Sequence, residues 1–258
     1  MQGNTLIAKY LKLRYNTLME NNKNYLVFGL VLGLSLIISA GIGSFTFYKL
    51  RSMDYISSTG SAKKPVVADK AKWTSSISRQ TTLSTLKAGY AKMDTDIKEV
   101  KNFLVQNGIA ETSITISPVY MNEVYEQYPS TDKKYNLVQN IEVNETDVNK
   151  IDNLSKNTTP LIVDKGVLFS TNSVEYYYSK LPEARVELLA NAVADAKARA
   201  EQLAIAGGKN IGVLQSASSG VVQVMSENSV EVSDYGMYDT SKINKEIMVT
   251  VKASFEIK

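Results

Sequence analysis

The side chains able to do chemistry in this chain are carboxylates, lysines, hydroxyls and tyrosines, because its 258 residues include no cysteine and no histidine. That excludes disulfides, thiolate nucleophiles, Cys/His zinc sites and every dyad or triad built on imidazole. Paired carboxylates are the remaining acid–base candidates. Asp94 and Asp96 stand two apart on a predicted helix, so they diverge and are expected to be solvated. Asp234 and Asp239 share a polar loop, residues 227–241, and could offer oxygens to calcium, but the loop lacks the D-x-D-x-D-G spacing. "GGKN" (207–210) follows a helix and lacks the G-x-x-x-x-G-K spacing of a phosphate loop. "YYY" (176–178) on a strand puts Tyr176 and Tyr178 on one face and Tyr177 on the other. These tyrosines suit packing against a helix or a neighbouring subunit, or a binding platform. No catalytic residue, metal site or cofactor is expected, and the chain is read as non-enzymatic.

The elements that would position these groups follow from periodicity. Residues 66–82 alternate with Ala71, Trp73, Ser75 and Ile77 on one face and read as a strand, with Trp73 in a core or an interface. Leu86, Tyr90, Met93, Ile97, Val100 and Leu104 form one helical stripe over 84–107, stopped at Asn107-Gly108. Residues 112–126 read as a strand that Pro118 marks as an edge or bulge, "YPSTDKK" as a turn and 135–145 as the return strand. Thr146 is the expected cap of a short helix lined by Val148, Ile151 and Leu154, with Pro160 after its end. A strand at 166–179 precedes a helix from Pro182 to Ala206, ended by Gly207-Gly208. Its expected inner face is Leu189, Val193, Ala196, Ala200 and Leu203, with Ala190, Ala194 and Ala198 as a second, small-residue face. Strands near 211–216, 221–226 and 245–257 finish the chain.

The order from 66 to 178 is β-α-β-β-α-β, the ferredoxin-like split pattern, extended by the long helix and further strands. The fold class is α+β, a mainly antiparallel sheet with helices on one face, preceded by one transmembrane helix. In the last strand Ile247, Val249, Val251, Ala253, Phe255 and Ile257 alternate with mostly polar residues. That periodicity demands one covered face, best supplied by helix 182–206. The strand's backbone edge is expected to pair with a neighbouring subunit, against the alternative that it lies centrally within one chain. Val249, Val251 and Phe255 join Tyr176, Tyr177 and Tyr178 as candidate interface residues.

Residues 25–48 carry no charge. As a helix they would be roughly 36 Å long, enough to cross a bilayer core of about 30 Å. Tyr25 and Tyr48 sit at the two ends as interfacial aromatics do. An uncleaved anchor is the expectation; a signal peptide cleaved near the small residues 39–44 is the alternative. Leu6, Tyr10 and Leu13, beside Lys9, Lys12 and Arg14, suit either an amphipathic surface helix or a solvated basic stretch. The organisation is thus 1–24 basic segment, 25–48 span, 49–64 linker ("SSTGSAKK" reading as flexible) and 65–258 folded domain. Residues 1–64 carry eight Lys/Arg against two Asp/Glu, whereas 65–258 carry 21 against 24. The folded part is mildly acidic, which argues against nucleic-acid binding.

An ordered set of stretches resembles the SIMPL-domain family of bacterial envelope proteins. It comprises "TGSAKKPVVADKAKW" (59–73), "NGIAETSITISPVY" (107–120), "DKGVLF" (164–169), "ARVELLANAVADAKARAEQLAIAGGKNIGVL" (184–214) and the closing "YDTSKINKEIMVTVKASFEI". The Tyr-rich strand 174–178 and the long N-terminal segment depart from the pattern. The resemblance implies an exported domain, hence a single-pass protein of the bacterial inner membrane with its N-terminus in the cytoplasm and its C-terminal domain periplasmic. It also implies ring-shaped or channel-like homo-oligomers and a link to oxidative stress, without an established activity. A membrane-anchored, homo-oligomerising assembly protein is therefore expected. The alternative is a periplasmic binding or chaperone-like module using the Tyr-rich surface, its small-molecule ligand unknown.

Overall fold

The computed structural model of the chain describes residues 3–51, 54–125, 132–229 and 233–258, which fall into two units, Met1–Tyr55 and Ile56–Lys258. Residues 128–131 of the expected turn at 128–134 and residues 230–232 of the polar loop 227–241 lie outside the described residues. The first unit is one helix, α1, Gly3–Arg51. Within it Tyr25–Lys49 is long and apolar enough to cross a membrane, by length and composition. A helix suits that stretch because it satisfies every backbone N–H and C=O without water. Residues 3–24 of the stretch before it, expected as a separate segment 1–24, continue the same helix.

The second unit is α+β, with two mostly antiparallel sheets in place of the single extended sheet anticipated. Strand β1 (Tyr55–Val67) opens it and passes through Ala68 and Asp69 into β2 (Lys70–Thr82). The linker assigned to 49–64 is therefore corrected: Lys49–Arg51 belong to α1, and 55–64 belong to β1. After β2 come α2 (Leu86–Gln106), β3 (Ile114–Ile116), β4 (Tyr120–Glu123) and β5 (Lys134–Glu145). Then follow α3 (Val148–Lys156), α4 (Thr159–Val163), β6 (Phe169–Tyr177) and α5 (Leu181–Ala206). The chain ends with β7 (Ile211–Ser226), β8 (Met237–Tyr238) and β9 (Asn244–Ile257).

The sheet containing β2 has the order β3-β5-β2-β6, with β4 also on β5. Pro118 breaks what would be one edge strand into β3 and β4, as its missing N–H requires. Ser117 bridges the break: its N–H donates to the Asn140 carbonyl at 2.9 Å, and its hydroxyl accepts the Asn140 N–H at 2.9 Å. Trp73, Ile77, Leu137 and Ile141 on the inner face meet Met93, Val100 and Leu104 of α2 and Ile151 of α3, all buried. Trp73 is fully buried, edge-on to Phe169 at 5.9 Å between ring centres. The cap of α3 is Asp147, one residue later than expected, its carboxylate accepting the Lys150 N–H at 2.9 Å. Pro160 opens the short α4 rather than merely following α3.

The second sheet has the order β1-β9-β7-β8. The closing strand is thus central, with β1 on one side and β7 on the other, and the edge assignment made for it is corrected. β7 is one strand from 211 to 226 with three register shifts against β9, where two strands were expected. Helix α5 covers β9 with four of the five expected residues, Ala196 and Ala200 fully buried and Leu189 and Val193 packed against the core, but Leu203 points outward. Ala184, Leu188, Ala192, Ala196, Ala200 and Ala204 are buried, while Leu203 is 56% exposed. Small side chains face inward because the helix lies almost on the strand backbone. A methyl group on Gly60 of β1 would stand 2.2 Å from both the Ala192 carbonyl oxygen and the Ala196 nitrogen. Ser58 donates its hydroxyl to the Ala196 carbonyl at 2.6 Å, and Asp195 accepts the Ser61 N–H at 2.8 Å.

Candidate functional site

Val249, Val251 and Phe255 are buried beneath the chain's own α5, so they are core residues and not the interface expected of them. Burial of each contributes roughly 1.5–3 kcal/mol as an upper range. The three tyrosines also turn inward. Tyr176 is buried, its hydroxyl donating to Asp152 Oδ1 at 2.7 Å. Tyr177 donates to Glu175 and lies 5.9 Å from the Tyr238 ring. The Tyr178 backbone N–H donates to the Tyr238 hydroxyl oxygen at 2.8 Å. Tyr176 thus ties β6 to α3, and the Tyr177 ring and the Tyr178 N–H tie it to β8. Tyr25 and Tyr48 are both exposed on α1, at the two ends of its apolar stretch.

Of the paired acids, Asp94 is solvated as expected but Asp96 is fully buried. Asp96 accepts from Arg79 Nε at 2.5 Å and lies 3.1 Å from Lys92 Nζ. Arg79 also donates to the Gly166 carbonyl, so the pair locks β2, α2 and the loop before β6. It is a buried ion pair joining separate elements. Asp239 does not face Asp234 as a cation site. Its carboxylate accepts the N–H and hydroxyl of Ser241 at 2.8 and 2.7 Å. Burial alone would raise Asp239, but those bonds and nearby Lys245 hold it below the usual carboxylate range. Among the described residues no group of three or more acids could hold a metal ion.

Lys245 was not foreseen. It is 1% exposed, donates to the Asp239 carbonyl and lies 5.7 Å from the centre of the Tyr238 ring. Burial pushes this amine below the ordinary lysine value, with Asp239 opposing. The alternating pattern of β9 marks position 245 as inward-facing, but a lysine there gave no apolar signal.

A concavity lies where the two sheets join. The seam is sewn by backbone bonds from Ala68 to Ile243, from Asp69 to Tyr177 and from Tyr176 to Thr240, each 2.8–2.9 Å. Beside it a cleft of about 730 Å³ is lined on one wall by Asp152, Lys156 and Tyr176, and on the other by Glu227 and Lys242, with Ile243 between. Asp152 accepts Tyr176 on one oxygen and Lys156, at 2.7 Å, on the other. Lys156 and then Tyr176 hold its carboxyl below the usual range. Burial first, then Asp152, raises Tyr176 far above the ordinary phenol, so it remains a donor. The arrangement makes polar recognition available here.

Outside the cleft, apolar surface remains on α5, where Val186 and Ile205 are 70% and 54% exposed. On β7, Val213, Leu214 and Val221 are exposed, and among the described residues Gln223 and Val224 of that strand's outer edge pair with β8.

No curated protein matches the chain. A family profile described as a protein of unknown function (DUF541) matches residues 56–255, from the second residue of β1 almost to the end of β9. Those boundaries coincide with the folded unit that begins at Ile56, and on that match the chain belongs to the SIMPL family.

Proposed function

We propose that this chain is a non-enzymatic, single-pass protein of the bacterial inner membrane. Tyr25–Lys49 is its anchor, and the SIMPL domain stands in the periplasm and self-assembles into a homo-oligomer of the cell envelope. The observation that carries the assembly reading is the long α5, which buries alanines on one side yet exposes Val186, Ala190, Ala194 and Ile205 on another. A helix apolar on more than one face normally has a partner on each. The outer edge of β7 offers a second contact, and a closed ring would leave no such edge free. A role in envelope stress, implied by the family resemblance, fits an assembly rather than a catalyst.

The test is the mass of the full chain purified in mild detergent, measured by light scattering or sedimentation. A defined multiple of 28.5 kDa is expected, falling to smaller species in a Val186→Glu, Ala190→Glu double variant. A monomer at all concentrations overturns the assembly reading. N-terminal sequencing of the native protein tests the anchor, and a mature chain beginning near residues 41–45 refutes it.

A further inference from the structure

We propose that the seam cleft binds a short peptide with both termini free, its carboxylate held by Lys242 and its ammonium by Glu227. Every other charge in the cleft is already engaged: Asp152 by Tyr176 and Lys156, and Lys156 by Asp152. Glu227 and Lys242 line the same cleft, and among the described residues neither has an ion pair or side-chain hydrogen bond. Their placement is fixed by the sheet. Glu227 follows the last residue of β7 and Lys242 precedes β9 by two, and Ser226 is paired with Lys245 in the register. One wall thus presents a cation and an anion on adjoining segments.

That arrangement selects by charge. A phosphate or simple carboxylate would meet Glu227, and a simple amine would meet Lys242, so either alone leaves one repulsive contact. A zwitterion satisfies both. The opposite wall includes Ser155 and Lys156, the C-terminal turn of α3, whose carbonyl end favours positive charge. Val174 and Ile243 supply apolar surface for the residues between the termini. A cleft of about 730 Å³ is larger than a single amino acid requires and lies within the range of small-ligand sites. The site sits where two sheets meet, a usual place for such a site. Its location is independent of α5 and the β7 edge, so the assembly reading and this one can fail separately.

The experiment uses the full chain in detergent micelles with labelled isoleucine methyl groups and trialanine as the probe. Ile243 lines the cleft, and Ile77 is fully buried in the core as the control. Trialanine is expected to shift Ile243 and not Ile77, with a Kd below about 1 mM. N-acetylated and C-amidated trialanine are each expected to bind about tenfold more weakly. Lys242→Gln should lose discrimination against the amide, and Glu227→Gln discrimination against the acetyl form. Both residues are exposed, so neither change disturbs packing. Absence of a shift at about 10 mM, equal binding of free and blocked peptides, or unchanged discrimination in both variants overturns the proposal.

Discussion

Replacing Gly60 by alanine should unseat α5 from its sheet. The added methyl would stand 2.2 Å from the Ala192 oxygen and the Ala196 nitrogen and 2.8 Å from the Ala196 Cα. All three are backbone atoms, so no rotamer change relieves the contact, and the helix must rise from β1. Rising breaks the Ser58–Ala196 bond and loosens Ala192, Ala196 and Ala200, which are fully buried. Overpacking of this kind costs about 3 kcal/mol at the upper end of the usual range. Gly220→Ala is the matched control, because its methyl would approach the Thr250 hydroxyl at 2.3 Å, a side-chain atom that can rotate away. The entropic gain of glycine to alanine, about 0.4–1 kcal/mol, applies to both. Thermal unfolding of the full chain, followed by far-UV circular dichroism, should show Gly60→Ala lowered by about 6–12 °C. Gly220→Ala should fall by less than half as much. Equal shifts for the two variants, or a loss below about 1 kcal/mol for Gly60→Ala, would refute the close-approach argument.

Asp96→Asn should cost about 3 kcal/mol, because Arg79 loses its buried partner, whereas Asp94→Asn should cost under about 0.5 kcal/mol; urea unfolding distinguishes them. Tyr176 has its folded value raised, so its contribution is fully present below the ordinary tyrosine value near 10 and is lost as pH climbs above it. Tyr176→Phe should flatten that alkaline decline in a stability–pH series; an unchanged slope would place its origin elsewhere. Asp152 and Asp195 have lowered values, held down chiefly by Lys156 and by the Ser61 N–H respectively, so their contributions persist above about pH 4 and disappear as pH falls further. Asp195→Asn should therefore shift the acid-unfolding midpoint upward. Thr250→Pro removes a ladder donor from a strand paired on both sides, so folding itself should fail, and a folded but dissociated variant would contradict the central placement of β9.

The parts legible in the sequence were those whose buried faces are apolar. The stripe Met93, Val100 and Leu104 placed α2, and the alternation from Ile247 to Phe255 placed β9 and its cover. β1 escaped because its inward face is Ser58, Gly60 and Ala62, small residues demanded by the nearness of α5 and indistinguishable by composition from a linker. On α5 the expected Leu189, Val193, Ala196 and Ala200 do face the sheet, but the same nearness puts Ala184, Ala192 and Ala204 inward, where composition gave no signal, and leaves Leu203 outward. Asp96 gave no sign of burial because its partner Arg79 comes from another element. Glu227 and Lys242 belong to segments that look like ordinary polar loop, and only the pairing of β7 with β9 brings them to one cleft.

The central position of β9 has a consequence for how the domain comes into being. β1 precedes every other strand described and β9 follows them, yet among the described residues β1 is paired with β9. The sheet of β2, β5 and β6 can close while later residues are still absent, but β1 must wait until β9 has been made. Contacts so distant in sequence form slowly, and an unpaired strand is exposed to other chains in the interval. "SSTGSAKK" suits a strand that waits: hydroxyls, glycine and two lysines give it little tendency to stack on a neighbour. The composition that made β1 look like a linker also keeps the growing chain soluble until its partner emerges.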